Sequence, residues 1–391
     1  METKTLHRLT PLELMTKLIS FPTISRDSNL PLIDWVESYL GSHGITSHRW
    51  PDPKQTHKAA LFAHVGPDIE GAVVLSGHTD VVPVDGQPWK TNPWEVVEQD
   101  GKYYGRGTCD MKGFDALAIW TLVEAHYGDV IRPLQLALSF DEEVGCTGAP
   151  PMIVAMQAAV PKGSAVIVGE PSMMKAVTGH KGGNAFTTNV VGFEVHSSIH
   201  YQGVSAVHEG ARLIQWANEQ NELNRAATPG PLAAMFDPPY TTWHVGTISG
   251  GTAENITAKN CDFQMGYRAV PGDDPERLNQ LYFDKVNDVR AAMQTVHREA
   301  DIVLTPRFAV PPLQPEEDGA AEGLVRTVTG DNASHVVSYG TEAGQFQDAG
   351  YSAVVCGPGD IAQAHQPNEY ITVAQFEAGH QFMCDLLAKL A

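Results

Sequence analysis

The sequence predicts an α/β protein with a mostly parallel sheet, interrupted by an inserted ferredoxin-like (βαββαβ) domain. Three observations carry this. Short, largely apolar runs alternate with helix-like stretches toward both ends of the chain. The middle changes rhythm to strand, helix, two strands, helix, strand. The 391 residues also exceed what one hydrophobic core holds, since domains usually comprise roughly 100–200 residues. The expected organisation is a first domain in two pieces, 1–181 and 311–391, enclosing a second at 182–310. Insertion of this kind is tolerated where chain ends lie close together.

The opening reads as a helix: Thr10 can cap it, Pro11 suits the first turn, and Glu13 completes a capping box. A second helix is expected over Leu32 to Leu40, stopping near Gly41 and Gly44. Ala72 to Ser76, Leu134 to Phe140, Ala165 to Val168 and Ala353 to Cys356 read as buried strands. Asp100-Gly101, between Trp94-Glu95-Val96-Val97 and Lys102-Tyr103-Tyr104, signals a hairpin. Gly113 to Tyr127 reads as helix. The inserted domain runs from a strand near Gly182 through a helix (Ser205 to Asn221) and two strands between Thr242 and Arg268. A helix (Pro275 to Glu299) and a strand (Ile302 to Phe308) complete it, and the chain ends on a helix from Ala374 to Leu390.

Composition narrows the function classes. Apolar content of 42% and charged content of 18% are ordinary for a globular protein, which sets disorder aside. A net charge of −20 argues against nucleic-acid and membrane-surface partners, both of which require basic surface. No run approaches the roughly 20 apolar residues of a membrane span. Met1-Glu2-Thr3-Lys4 opens without the apolar core of a secretion signal. The odd set Cys109, Cys146, Cys261, Cys356 and Cys384 is too dispersed for a disulfide framework or a zinc knuckle, so a reducing cytoplasm is expected. A serine hydrolase lacks its Gly-x-Ser-x-Gly elbow here, and a nucleotide-binding enzyme its phosphate loop.

The polar residues fall in a pattern. Each apolar run is followed by acids or histidines: Gly77-His78-Thr79-Asp80, Asp141-Glu142-Glu143, Gly169-Glu170-Pro171-Ser172, and a Gly-Pro loop leading to His365. Asp110 lies in a Gly-rich loop just before the Gly113 helix. Taken singly, each has a plain explanation: a surface His-x-Asp, a solvated acidic turn, a helix cap, a loop histidine. Ligands of open α/β sheets, however, bind beyond the carboxyl ends of the strands. That rule gathers these groups in one place, where buried like charges would repel unless cations compensate them. Two divalent ions would offset Asp110, Glu143 and Glu170.

These motifs, with Gly105-Arg106-Gly107 and Asp110-Met111-Lys112-Gly113, resemble the M20 metallopeptidase family across nearly the whole chain. The resemblance implies a di-zinc catalytic domain with an inserted lid and dimerisation domain, and hydrolysis of the N-acyl amide of an amino acid. It implies His78 and Glu170 on one Zn²⁺, Glu143 and His365 on the other, and Asp110 bridging; Co²⁺ or Mn²⁺ would suit the same donors. Asp80 would orient His78 and Glu142 would be the general base. The residues themselves do not say which of the two adjacent glutamates holds metal. His196, in Val195-His196-Ser197-Ser198, matches a lid histidine that reaches the other subunit of a homodimer to stabilise an oxyanion; by itself it reads as a strand-end histidine. Asn255 and Arg268 match substrate-contact positions, Arg268 for the α-carboxylate.

The resemblance extends to Tyr339-Gly340-Thr341-Glu342-Ala343-Gly344-Gln345-Phe346, with Cys356-Gly357-Pro358-Gly359 and Ala364-His365, and here the resemblance implies a small-molecule substrate with a cationic side chain, N2-acetyl-L-ornithine, met by Glu342. A helix-start glutamate is the plainer account of Glu342. A broader N-acyl-amino-acid amidohydrolase or a succinyl-diaminopimelate desuccinylase are the enzymatic alternatives. A non-catalytic metal or amino-acid binder is the alternative from another class, against which an intact Glu142 argues. Two departures from the family pattern stand out: Asp115 after Gly113-Phe114, and the bulky, acidic Phe193-Glu194-Val195 before His196.

Overall fold

A computed structural model describes residues 7–391; the reading made on Met1 to Lys4 lies outside the described residues. Along the chain the elements are α1 (Pro11–Ile19), α2 (Leu30–Ser42), β1 (Ser47–Pro51), β2 (Ala59–Val65), β3 (Ala72–His78), β4 (Val97–Gln99) and β5 (Lys102–Tyr104). Then come α3 (Lys112–Tyr127), β6 (Leu134–Ser139), α4 (Ala149–Ala159), β7 (Gly163–Pro171) and β8 (Val177–His180). The middle holds β9 (Gly182–Val191), α5 (Ala206–Ala226), β10 (Thr242–Gly250), β11 (Asn260–Ala269), α6 (Pro275–Val296) and β12 (Asp301–Val310). The chain closes with α7 (Ala320–Thr329), β13 (His335–Val337), α8 (Ala343–Asp348), β14 (Ala353–Gly357), β15 (Tyr370–Thr372) and α9 (Val373–Leu390).

Contacts divide the chain into two compact units. One holds the residues up to Gly179 with Leu313–His335 and Thr341–Ala391; the other holds His180–Pro312 and Val336–Gly340. In the first, a sheet is ordered β1-β2-β6-β3-β7-β14-β8-β13, its last two short strands lying where the chain passes between units. The central pairs β6–β3, β3–β7 and β7–β14 are parallel. Their residues are buried except Ser164 near the start of β7, which explains why the strands read as apolar runs rather than alternating ones. Helix α3 packs on β3 and β6 and takes α1 and α9 against itself. Val73, Leu75, Leu134, Leu136, Leu138 and Ile167 meet those helices in one apolar cluster.

Local chemistry sets the ends of several elements. The Thr10 hydroxyl accepts the Glu13 N–H, and the Glu13 carboxylate accepts the Thr10 N–H, so both arms of the capping box form. Asp100 and Gly101 both take left-handed φ values of 52° and 70°, the requirement of the tight β4–β5 turn. Helix α2 runs longer than expected, from Leu30 through Gly41 to Ser42; its buried Leu32, Ile33, Val36 and Leu40 outweigh the weak helix preference of one glycine. The edge strand β1, SHRWP, gave no apolar signal because it is only half-buried.

The second unit is a four-stranded sheet of order β10-β11-β9-β12, every neighbouring pair antiparallel, with α5 and α6 packed on it. This is the ferredoxin-like arrangement. Trp216, Trp243, Tyr267 and Tyr282 form an aromatic cluster at its core. Among the described residues no helix is long and apolar enough to cross a membrane.

Gly169, which precedes Glu170 in β7, touches the ring of Phe114 so closely that an added Cβ would fall 2.0 Å from the ring Cγ. Gly169→Ala must therefore displace α3 or the end of β7. Overpacking of this kind costs about 1–3 kcal/mol, and urea unfolding should show at least that loss; an unchanged midpoint would mean that the contact is not tight.

Candidate metal centre

Strand ends deliver the donors. β3 ends on His78, β7 carries Glu170, β6 leads into Asp141-Glu142-Glu143, and the loop after β14 reaches His365. Asp110 arrives on the loop before α3. The Asp110 carboxylate faces both histidines: Oδ1 lies 3.1 Å from His78 Nε2, and Oδ2 lies 3.1 Å from His365 Nε2. His78 Nε2 is also 3.6 Å from Glu170, and His365 Nε2 is 2.9 Å from Glu143. Two three-residue groups result, His78–Asp110–Glu170 and Asp110–Glu143–His365. Within each, the donor atoms lie within 4.8 Å of one another.

Three successive acids take three different directions. Asp141 pairs with the buried ammonium of Lys58 at 2.8 Å and accepts from Gln55. Glu143 turns to His365. Glu142 joins neither group, and its Oε1 accepts the Cys146 thiol at 3.2 Å. Asp80 joins both halves of the centre. Its backbone carbonyl is 2.9 Å from His78 Nδ1 and its carboxylate 3.6 Å, while the same carboxylate accepts the N–H groups of Glu142 and Glu143 and the hydroxyl of Ser25. A ring nitrogen held in this way fixes the imidazole orientation and leaves Nε2 free to face the other donors.

The electrostatics show what is short. Burial pushes Glu143 up to about 8 and Glu170 well above the usual carboxylate range, with Asp110 adding repulsion in both cases. Burial alone would lower His78, yet Asp110 and Asp80 hold it well above its ordinary value. His365 is raised to about 10 by its bonds to Asp110 and Glu143. The carboxyl groups gathered here thus carry more negative charge than the two imidazoles can offset. A donor set of mixed carboxylate oxygen and imidazole nitrogen, with one carboxylate shared, fits a pair of divalent cations.

Glu342 stands immediately before α8 and is buried; Ser139 Oγ donates to it. Burial, then repulsion from Glu142, raises its carboxyl to about 8. Its side chain caps no helix N–H. The remaining candidates lie in the second unit. His196 is exposed, precedes a short helical turn and approaches Ser198 Oγ through Nδ1 at 2.8 Å. Asn255 is its neighbour, its carbonyl accepting the Ser197 N–H at 2.9 Å. Arg268 is exposed on β11 with no ion pair among the described residues, and its guanidinium occupies the room left by the missing side chain of Gly183. Phe193 stacks on His297 with ring centroids 3.5 Å apart. The supporting Ser25, Lys58, Cys146 and Glu369 carried no sequence signal of a role, because each is linked to the centre only through the fold; Arg106 lay within the Gly105-Arg106-Gly107 motif, but its partner was not legible.

Residues 74–389 match peptidase family M20/M25/M40, and the chain belongs to it; it is a hydrolase of a family of peptidases. The relatives narrow this further. An acetylornithine deacetylase of Myxococcus xanthus is 34% identical over 363 residues, covering 92% of each chain. One of Proteus mirabilis (strain HI4320) is 30% identical over 388 residues, covering 96% of this chain and 95% of its own. An M20 family metallo-carboxypeptidase from Sulfolobus solfataricus shares the fold, with a TM-score of 0.78 at 16% identity, covering 98% and 99% of the two chains.

Asp115, read in the sequence as a departure from the family pattern, is buried on α3. It lies under Gly77, where an added Cβ would stand 2.0 Å from its Oδ1, and neither carboxyl oxygen has a hydrogen-bond partner among the described residues. Burial raises it from 3.8 to about 8 and lowers the adjacent buried Lys112 to about 7. For an acid raised in the folded state, the stability held by the protonated form is complete below the unfolded value near 3.8 and is lost as pH rises through about 8. Asp115→Asn should therefore match the wild type near pH 4 and gain on it steadily toward pH 8, in urea unfolding of chelator-treated protein. A difference that does not change with pH would disprove the raised carboxyl.

Proposed function

We propose that the protein hydrolyses the N-acyl amide of an amino acid, with N2-acetyl-L-ornithine as substrate and L-ornithine and acetate as products, a step of arginine biosynthesis in a reducing cytoplasm. The observation that carries the reading is the Asp110 carboxylate, whose two oxygens face two different histidines, each backed by its own glutamate. His78 and Glu170 would hold one Zn²⁺, Glu143 and His365 the other, with Asp110 shared. Ions bound there lower the pKa of water toward ~7 and polarise an amide carbonyl. The names of the relatives support the acetylornithine assignment, and five free cysteines agree with a reducing compartment.

The chain's own residues do the rest. Glu142 lies next to a ligand yet belongs to neither ligand group, so its carboxylate is available to take the proton of the attacking water and return it to the leaving nitrogen. The second unit serves as lid and homodimer surface. His196 of the partner subunit donates to the developing oxyanion. Arg268, exposed and without an ion pair among the described residues, grips the substrate α-carboxylate, and Asn255 stands beside His196 to contact the substrate. Glu342 receives the side-chain ammonium, whose charge would favour the ionised form of a carboxyl that burial raises to about 8.

Amine release by zinc-loaded protein, compared among N-acetyl-L-ornithine, N-acetyl-L-methionine and N-succinyl-diaminopimelate, should favour the first strongly. Glu342→Gln should then reduce turnover of acetylornithine more than that of acetylmethionine. Preference for acetylmethionine in the wild type would replace the substrate assignment by a broader aminoacylase, and equal losses would remove Glu342 from recognition. Glu142→Ala should retain two metal ions while losing roughly 10²–10⁴ in kcat. Mixed with His196→Ala, it should recover activity in the heterodimer; a verified heterodimer that stays inactive would rule out action across the subunits.

A further inference from the structure

Glu369 lies between the two loops that carry Asp110 and His365, and its carboxylate is saturated by the first of them. Oε1 accepts the backbone N–H groups of Gly107 (3.1 Å), Cys109 (3.0 Å) and Asp110 (3.1 Å). Oε2 accepts Arg106 Nη1 at 2.5 Å, and the Glu369 carbonyl accepts the Gly105 N–H at 3.0 Å. Both side chains of the pair are about 1% exposed. Arg106 Nη2 donates to Gln87 Oε1 at 2.8 Å, and Gln87 Nε2 donates to the backbone carbonyl of His365 at 3.2 Å. The connections close a ring: the Asp110 loop, Glu369, Arg106, Gln87, His365.

Such a ring answers a need. The loop from Gly105 to Asp110 is irregular, with Gly107 at φ 87°, and its N–H groups have no ladder of their own. Buried amides require partners. One carboxylate oxygen serving three of them fixes the loop as a unit, in the manner of an anion-binding nest turned inward. His365, at φ 63° with a side chain 52% exposed, has little packing of its own to hold it.

We propose that Glu369, acting with Arg106, is a positioning residue that sets the separation of Asp110 from His365 and so preforms the site built from Asp110, Glu143 and His365. The proposal rests on reading those three as metal ligands. Its consequence is asymmetric. Both anchored loops meet at this site, whereas the His78–Asp110–Glu170 site shares only one of them.

The test is stepwise Co²⁺ titration of chelator-treated protein, followed by d–d absorption and calorimetry, with the step lost in His365→Ala marking the site in question. Wild type should take up two ions. Glu369→Ala should lose roughly tenfold to a hundredfold in affinity at the marked step and clearly less at the other. Glu369→Gln keeps an acceptor for the amides but turns N–H groups toward Arg106, so it should fall between; it carries the test if the alanine variant does not fold. Wild-type affinity at both steps in folded variants, or equal weakening of both, would overturn the proposal. Failure of the wild type itself to take up two ions would instead overturn the ligand reading, and this proposal with it.

Discussion

The structure depends on one constraint: several carboxylates are buried together at the ends of parallel strands, where water cannot screen them. Asp80 is the hinge of the solution. Its backbone and side chain hold His78 on one side, and its carboxylate holds the Glu142–Glu143 backbone on the other. The two ligand groups are therefore not independent loops but parts tied to one residue at the end of β3. Lys58 pairs with Asp141 and Arg106 with Glu369, so two of the buried acids outside the ligand groups are given a cation. The set facing Asp110 is where added cations belong.

Preorganisation is the common thread. Metal donors must stand close to one another before the ion arrives, and that closeness is unfavourable without it. Rigid strands and saturated backbone amides carry the cost here. His78 and Glu170 sit on the strands themselves, whereas Asp110 and His365 sit on loops and require the Glu369–Arg106 ring. Asp115 adds an unpaired carboxyl beneath the centre, and packing gives it no partner among the described residues.

The second unit follows different physics. Its sheet has one face covered by α5 and α6 around an aromatic cluster, and β11 alternates buried and exposed positions along Cys261 to Ala269. His196, Asn255 and Arg268 stand on exposed parts of that scaffold, unlike the buried donors of the first unit. Exposed side chains of this kind suit recognition of molecules from outside, and burial suits a preset ion site.

Much of this was legible in the residues. Largely apolar runs betray strands covered on both faces, Asp100-Gly101 betrays a turn that only left-handed backbone can make, and polar residues placed just after apolar runs mark the rim of a parallel sheet. Those rules are local, so His78, Asp110, Glu170, His365 and the run Asp141-Glu142-Glu143 could be singled out without a structure. Half-buried β1 escaped because no periodicity distinguishes it. The division of labour between Glu142 and Glu143 also escaped, since adjacent residues differ only in which way the folded backbone turns them. Lys58, Arg106 and Glu369 escaped for a related reason: an ion pair spanning 263 positions, as Arg106–Glu369 does, leaves no trace along the chain. The sequence by itself determined the fold class, the core strands β3, β6, β7 and β14 and the chemistry at their ends, because short-range patterning encodes these. Only the tertiary structure decided which acids share a histidine and which share a lysine or an arginine, because that choice depends on distances through space.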